Sequence, residues 1–134
     1  MSPHEIVVAR ELAEPVGFAH AVVAAEGRAV YLGGQTAQGR DGAIVGATVV
    51  EQFDVAAANV VAALAAAGSA PDQLVSLIIY TTAVGEYRSA LRELGPLWRK
   101  HFGRHYPAVA LLGVAELFDE AAKIELVGTA VIPA

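Results

Sequence analysis

The sequence contains no cysteine. This excludes disulfide bonds, thiolate nucleophiles and thiolate metal ligands in the chain. Positive charge is also scarce, because 9 Lys and Arg residues face 14 Asp and Glu residues and the formal net charge is -5. A surface that follows the phosphates of a nucleic acid needs a continuous basic stripe, so the composition disfavours nucleic-acid binding.

Long apolar runs are missing as well. The richest apolar run, 55–67, contains Asn59 and is shorter than the roughly 20 residues that cross a bilayer. The N-terminal stretch "MSPHEIVVARELAEP" has no basic region followed by a long apolar core, which a secretory signal requires. We therefore predict a cytoplasmic protein without a membrane partner.

The length of the chain fits one domain, residues 1–134, with a sizeable core. Hydrophobic residues make up 55% of the chain, although many of them are alanine. A small domain this apolar is expected to hide part of its surface against copies of itself, so the composition predicts a homo-oligomer.

Periodicity predicts the first half of the fold. "HEIVVAREL" is typical of a strand, and "FAHAVVAAEGRAVYLGGQ" predicts a hairpin of two strands that turns at Glu26-Gly27. The glycines of "TAQGRDGAIVGA" predict a loop. Apolar residues then recur at helical spacing from Val50 to Ala67, with Thr48 as N-cap and Gly68 at the C-terminal end.

The second half predicts a strand in "DQLVSLIIYTTAV", a helix from about Glu86 to Phe102 and two closing strands. Gly95-Pro96 predicts a kink or break in that helix, whose inner stripe is Tyr87, Leu91, Leu94 and Trp98. The order β-β-β-α-β-α-β-β indicates an α+β domain, a mixed six-stranded sheet with two helices on one face. The other apolar face then needs cover, most simply from neighbouring subunits.

Four stretches that together cover nearly the whole chain carry a resemblance to a known family. In order they are "VYLGGQT", "EQFDVAAANVVAALAAAGSAPDQLV", "YTTAVGEYRSALRELGPLWRKHF" and "YPAVALLGVAELFDEAAKIELVGTAV". In this order and spacing they resemble the RidA/YjgF family, once called L-PSP endoribonuclease. The resemblance implies a homotrimer with three pockets at subunit interfaces. Each pocket would hydrolyse a reactive 2-enamine or 2-imine acid to its keto acid, releasing ammonia, without a metal or an organic cofactor.

This chain departs from the family pattern at the residue that binds the substrate. The family has an arginine after Pro-Ala that pairs with the substrate carboxylate, and this chain has Val109 there. Only a guanidinium offers the planar fork that holds a carboxylate with two hydrogen bonds. Since a carboxylate buried against valine would cost several kcal/mol, the resemblance implies a divergent member that has lost its anion clamp.

Further departures make the implied pocket apolar. Phe18 replaces a tyrosine, Gly33 a serine, Leu91 an asparagine, and Leu111 a small polar or sulfur residue. Of the family's polar set only Glu125 in "KIE" remains, the glutamate that positions water. Glu125 is therefore the predicted catalytic residue, suited to acid/base chemistry. The predicted substrate-binding residues are Phe18, Gly33, Gly34, Leu91, Arg104, Val109 and Leu111.

Each candidate also has a simpler interpretation. Glu125 alternates with apolar neighbours, so it faces either a cleft or solvent. The glycines of "GGQT" either offer backbone N–H groups to an oxyanion or form a tight strand exit. Arg104 is a candidate to replace the missing arginine from a neighbouring subunit, as against a surface arginine.

Three of the four histidines receive structural interpretations. His101 and His105 have the spacing of a metal pair, but Gly103 between them indicates that the helix has ended. We therefore interpret them as surface or C-capping histidines and predict no metal site. His20, inside a strand pattern, is interpreted as a satisfied polar residue.

Two functions remain open at this point. One is a cofactor-free enzyme that acts by hydrolysis or proton transfer on an enamine, an imine or a related small molecule more apolar than amino-acid imines. The other is a non-catalytic trimer that binds a hydrophobic ligand or acts as a holdase. Ribonuclease activity rests only on the older family name.

Overall fold

The computed structural model describes residues 1–134 and has the predicted order of elements. The strands are β1 (Glu5–Val7), β2 (Ala21–Val23), β3 (Gly27–Tyr31), β4 (Leu74–Thr81), β5 (Ala108–Gly113) and β6 (Ile124–Pro133). The helices are α1 (Val49–Ala66), α2 (Val84–Ser89) and α3 (Leu91–Phe102), and one 3-10 turn covers Pro71–Gln73. The α+β class is confirmed, with the second predicted helix divided in two.

The six strands form two sheets, so the prediction of one six-stranded sheet is wrong. Four of them make a mixed sheet in the order β3-β6-β4-β5, in which only β4 and β5 are parallel, and β1 pairs with β2 separately. The predicted hairpin at Glu26-Gly27 is therefore wrong. The strand β3 pairs with β6 over five residue pairs, whereas β2 has only three residues to offer. Pairing of β3 with β6 is favoured over pairing with β2, because the longer pairing forms more backbone hydrogen bonds and buries more surface.

Helix α1 begins and ends as predicted. The Thr48 hydroxyl accepts a hydrogen bond from the Glu51 amide at 3.1 Å, and Gly68 follows the helix with φ +80. This helix is long and apolar enough to cross a membrane by composition alone. Its residues Phe53, Val60 and Leu64 are fully buried against the sheet, so α1 is the core helix of this domain.

The break in the second helical region lies at Ala90 and not at Gly95-Pro96. Pro96 stays inside α3 although it cannot donate the usual backbone hydrogen bond. The helix persists because its buried stripe of Leu94, Trp98 and Phe102 packs into the core, and such packing supplies most helix stability in proteins.

The sheet is covered by the helices on one face only. In β6, Ile124 and Leu126 are buried under the helices, while Glu125 alternates with them on the other face. That open face carries exposed apolar side chains, among them Tyr31 at 81% and Leu112 at 46% exposure. The sequence-based expectation of one uncovered apolar face is therefore confirmed.

Candidate functional site

An apolar cavity of about 550 Å³ lies between α2, α3 and the edge strand β5. Four of the predicted binding residues line it together: Phe18, Leu91, Val109 and Leu111. Eleven of its 13 lining residues are hydrophobic and none is charged. Its size falls within the range of small-molecule sites, about 300–1,000 Å³.

The parallel pairing of β4 and β5 places two of these residues. Val109 lies opposite Leu77 and Leu111 opposite Ile79, and both partners are buried on the helix-covered face. The side chains of Val109 and Leu111 therefore point to the helix side of the sheet. The prediction that Leu91 belongs to the buried inner stripe is wrong, because it is 58% exposed. The break at Ala90 turns it toward the rim of the cavity.

Aromatic residues form a fixed wall of the cavity. The rings of Trp98 and Tyr106 stack with centroids 5.5 Å apart and an interplanar angle of 4°. The indole N–H of Trp98 donates to the His105 carbonyl oxygen at 3.1 Å, which holds the ring in place. Tyr87 lines the cavity as well, and burial raises its pKa to about 12.

Sequence reasoning missed Tyr87, Trp98 and Tyr106 as cavity residues. Tyr87 and Trp98 were predicted as parts of a packed core, which is what their helical spacing indicates. Periodicity identifies an inward-facing side chain, but it cannot distinguish a filled core from a cavity. The available signal was the hydroxyl of Tyr87, because a buried tyrosine usually needs a hydrogen-bond partner.

Glu125 lies at a second place, on the open face of the sheet. Backbone hydrogen bonds of 2.8 Å in both directions join Gln35 to Leu126 and so bring Gly33 and Gly34 beside β6. The carboxylate lies so close to Gly34 that a Cβ there would overlap it. Glycine is thus the residue that lets the backbone approach this acid, and we call Gly33, Gly34 and Glu125 the Glu125 corner.

The predicted site is therefore divided within one chain. The apolar cavity lies on the helix-covered side of the sheet, and the Glu125 corner lies on the open side. The structure thus does not bring Glu125 into the apolar cavity of its own chain, as the sequence interpretation of one apolar pocket around an acid assumed. The alternation of β6 is the physical reason, since Ile124 and Leu126 take the helix-facing positions.

Arg104 lies in neither place. It lines a wider depression of about 850 Å³, which contains Glu14 and Asp72 and shares Phe18 with the apolar cavity. Arg104 forms no salt bridge with either carboxylate. Within one chain its guanidinium is not among the groups that line the apolar cavity.

The interpretation of His101 and His105 as surface or capping residues is wrong. The Nε2 atom of His101 lies 2.6 Å from Oδ1 of Asp54, and that of His105 lies 2.7 Å from the buried carbonyl oxygen of Leu74. Both residues face inward because the end of α3 packs on α1 and on the sheet. The two rings have different partners, and no group of three potential metal ligands exists in the chain.

His20 is a satisfied polar residue, as predicted. Its Nδ1 accepts from the Ala9 amide and its Nε2 lies near the Ala13 carbonyl oxygen, both at 2.9 Å. These contacts hold residues 9–13 against the start of β2. They thereby stabilise the segment between residues 13 and 20, which places Phe18 at the cavity.

Asp54 gives the chain an acid-sensitive contact between α1 and α3. Hydrogen bonds from His101 and then from Lys100 hold the pKa of this carboxyl below its ordinary value of 3.8. A lowered native pKa contributes stability at higher pH, which is lost as the pH falls below 3.8. We expect wild type to lose more stability than Asp54→Asn between pH 5 and pH 3 in urea titrations, by no more than about 1 kcal/mol because the carboxylate is partly exposed.

The control for this prediction is Glu120→Gln, which changes an exposed acid without such partners. Its stability should follow the wild-type pH dependence. Identical pH dependence of wild type and Asp54→Asn would show that this cluster contributes nothing to acid stability.

Comparison with known proteins places the chain in a family. The Rid-family protein YyfB from Yersinia pestis is 26% identical with a TM-score of 0.86, covering 96% of this chain and 98% of that one. A protein from Entamoeba histolytica named for the L-PSP endoribonucleases is 27% identical, with a TM-score of 0.68 over 94% and 98% of the two chains.

A member of the YjgF/YER057c/UK114 family from Mycobacterium tuberculosis, at 24% identity and a TM-score of 0.64 over 96% and 99% of the chains, shares the fold. No curated protein sequence matches the chain. The sequence pattern of the Endoribonuclease L-PSP family matches residues 9–132. The chain therefore belongs to the Endoribonuclease L-PSP family, which is the Rid or YjgF family.

Proposed function

We propose that this protein is a small-molecule enzyme of the RidA type, which hydrolyses or moves a proton on an enamine, an imine or a related group. Family membership supports a role in processing or binding small molecules. The choice of an uncharged substrate rests on the lining of the apolar cavity. Val109 on the edge strand β5 belongs to this lining, and no charged side chain does. A neutral substrate fits such a site, whereas an anionic imino acid would lose its hydration there without a partner.

In this proposal two copies of the chain complete each site of a cytoplasmic homotrimer. One copy supplies the apolar cavity and its neighbour supplies the Glu125 corner. Two features support this arrangement: Glu125 lies on the sheet face without helix cover, and the exposed apolar residue Leu112 lies on that same face. Burying such a face against another copy is favourable, because it removes apolar area from water.

The proposed chemistry uses only groups of the protein and water. Glu125 accepts a proton from a water molecule whose oxygen attacks the imine carbon. Glu125 returns this proton to the nitrogen, which gives a carbinolamine. The proton of the carbinolamine hydroxyl then moves to the nitrogen as the carbon–nitrogen bond breaks, so that ammonia leaves and the carbonyl forms. The products are one carbonyl compound and one ammonia per imine and water. The backbone N–H groups of Gly33 and Gly34 stabilise negative charge that develops on oxygen.

The test compares an anionic with a neutral imine. We expect weak or no acceleration of 2-aminoacrylate hydrolysis and at least tenfold greater acceleration for the N–H imine of acetophenone. The physical reason is the missing arginine, since a bound carboxylate has nothing to pair with in the cavity. The measurement is the initial rate of carbonyl formation above the uncatalysed rate.

Arg104→Ala serves as the matched variant for this assay. It should leave both rates unchanged, because Arg104 lines a different depression. Strong hydrolysis of 2-aminoacrylate that disappears in Arg104→Ala would contradict the proposal and assign the anion clamp to Arg104.

The second candidate function is ligand binding without catalysis, as a binding or holdase protein. The separation of Glu125 from the apolar cavity within one chain favours it. Saturable binding of the neutral imine without any acceleration of its hydrolysis would support this alternative. The cavity offers no cation to hold a phosphate, which disfavours ribonuclease activity at this site.

A further inference from the structure

Tyr87 brings a polar group, its hydroxyl, to the lining of the apolar cavity, and the proposed chemistry does not use it. This residue lies on α2, and its ring packs against the core beside the cavity. Every fully buried side-chain polar atom of the protein has a hydrogen-bond partner. The Tyr87 hydroxyl has none within the protein, so it is not fully buried, and because Tyr87 lines the cavity it is the unpaired polar group available to a ligand there.

The other polar groups of the lining are already engaged or lie at its border. The indole N–H of Trp98 is taken by the His105 carbonyl oxygen. Tyr106 lines both the apolar cavity and the depression of Arg104, so it lies where the two meet. Tyr87 is thus the group best placed to meet a polar atom of a ligand inside the cavity.

The environment of Tyr87 determines what it can recognise. Burial raises its pKa to about 12, so the phenol stays protonated near neutral pH and donates a hydrogen bond without carrying charge. The surrounding apolar side chains exclude competing water, which strengthens such a bond and makes an unpaired polar group costly. The stacked rings of Trp98 and Tyr106 line the same cavity, and flat aromatic surfaces suit a planar ligand.

We propose that Tyr87 is a specificity-determining residue that donates a hydrogen bond to the uncharged carbonyl or imine group of a flat, apolar ligand. The inference rests on the proposed function, since it takes the cavity as the substrate site, and it adds the substrate class: a neutral aryl or conjugated ketone-type compound or its imine. Tyr87 binds and orients this group and takes no part in the proton transfers assigned to Glu125.

The test uses two probes of nearly equal shape, acetophenone and ethylbenzene, of which only the first can accept a hydrogen bond. Trp98 is the only tryptophan and lines the cavity, so its single indole N–H resonance reports occupancy in NMR titrations. We expect Tyr87→Phe to weaken acetophenone binding about three- to tenfold, the usual contribution of one hydrogen bond. The affinity of ethylbenzene should change less than twofold.

Tyr31→Phe, which removes a tyrosine hydroxyl outside the cavity, is the matched control and should alter neither affinity by more than twofold. Three results would overturn the proposal: unchanged acetophenone affinity in Tyr87→Phe, equal weakening of both probes, or no response of Trp98 to either probe. Loss of the acetophenone preference in Tyr31→Phe would do so as well. Since no turnover is measured, these outcomes are independent of whether the protein hydrolyses the imine.

Discussion

Replacing Phe53 with alanine is expected to lower the free energy of unfolding by about 3–5 kcal/mol, the usual cost of truncating a buried phenylalanine. Phe53 is 1% exposed and belongs to the central core cluster between α1 and the sheet. Truncation would leave a void that the rigid neighbours fill only partly. Urea unfolding at fixed protein concentration measures the effect as a lower midpoint at unchanged slope.

The matched control is the same change at Phe118, whose side chain is fully exposed. Phe118→Ala should shift the free energy of unfolding by less than about 0.5 kcal/mol. Equal losses in the two variants would mean that Phe118 is buried in an assembly of copies. A negligible loss in Phe53→Ala would contradict the packing of α1 described above.

Local signals were sufficient to predict α1 from the sequence. Short-range interactions determine where α1 begins and ends, and these can be read from the sequence. They are the cap at Thr48, the spacing of the apolar stripe and the glycine at Gly68. The α+β class followed from the order of such local patterns.

Long-range pairing explains what the sequence did not reveal about the fold. The sequence favoured a local hairpin at Glu26-Gly27, but β3 pairs with β6 across about a hundred residues. The position of the break is of the same kind, because Gly95-Pro96 stays inside α3 once Trp98 and Phe102 are packed. Neither outcome can be derived without the energies of tertiary contacts.

The sequence predicted several residues of the candidate site but not how they are arranged in space. The family resemblance selected Phe18, Leu91, Val109 and Leu111, and these four converge on one cavity. Strand alternation already implied that Glu125 lies on the opposite face from Leu126. Which face the helices cover is a tertiary property, so the division of the site became visible only in the structure.

Replacing Glu125 with glutamine is expected to lower the rate of hydrolysis of the neutral imine about 10²–10⁴-fold, the usual contribution of a positioned acid/base group. Glutamine keeps the size and the hydrogen-bonding oxygen of glutamate but cannot take a proton from water. The binding affinity of the substrate should change little, since in the proposed site the apolar cavity of the neighbouring copy holds the substrate and Glu125 acts on water. Steady-state kinetics would therefore show a fall in kcat at nearly constant KM.

Two further variants separate chemistry from structure in this experiment. Glu116→Gln, which removes an exposed acid elsewhere, should retain the wild-type rate. Gly34→Ala should lower kcat with little loss of stability, because the new Cβ displaces the flexible end of the Glu125 side chain and leaves the backbone in place. An unchanged rate in Glu125→Gln would remove the proposed mechanism and leave ligand binding as the function. A rate lost in Glu125→Gln and also in Glu116→Gln would point to a general effect of net charge and not to a positioned carboxylate.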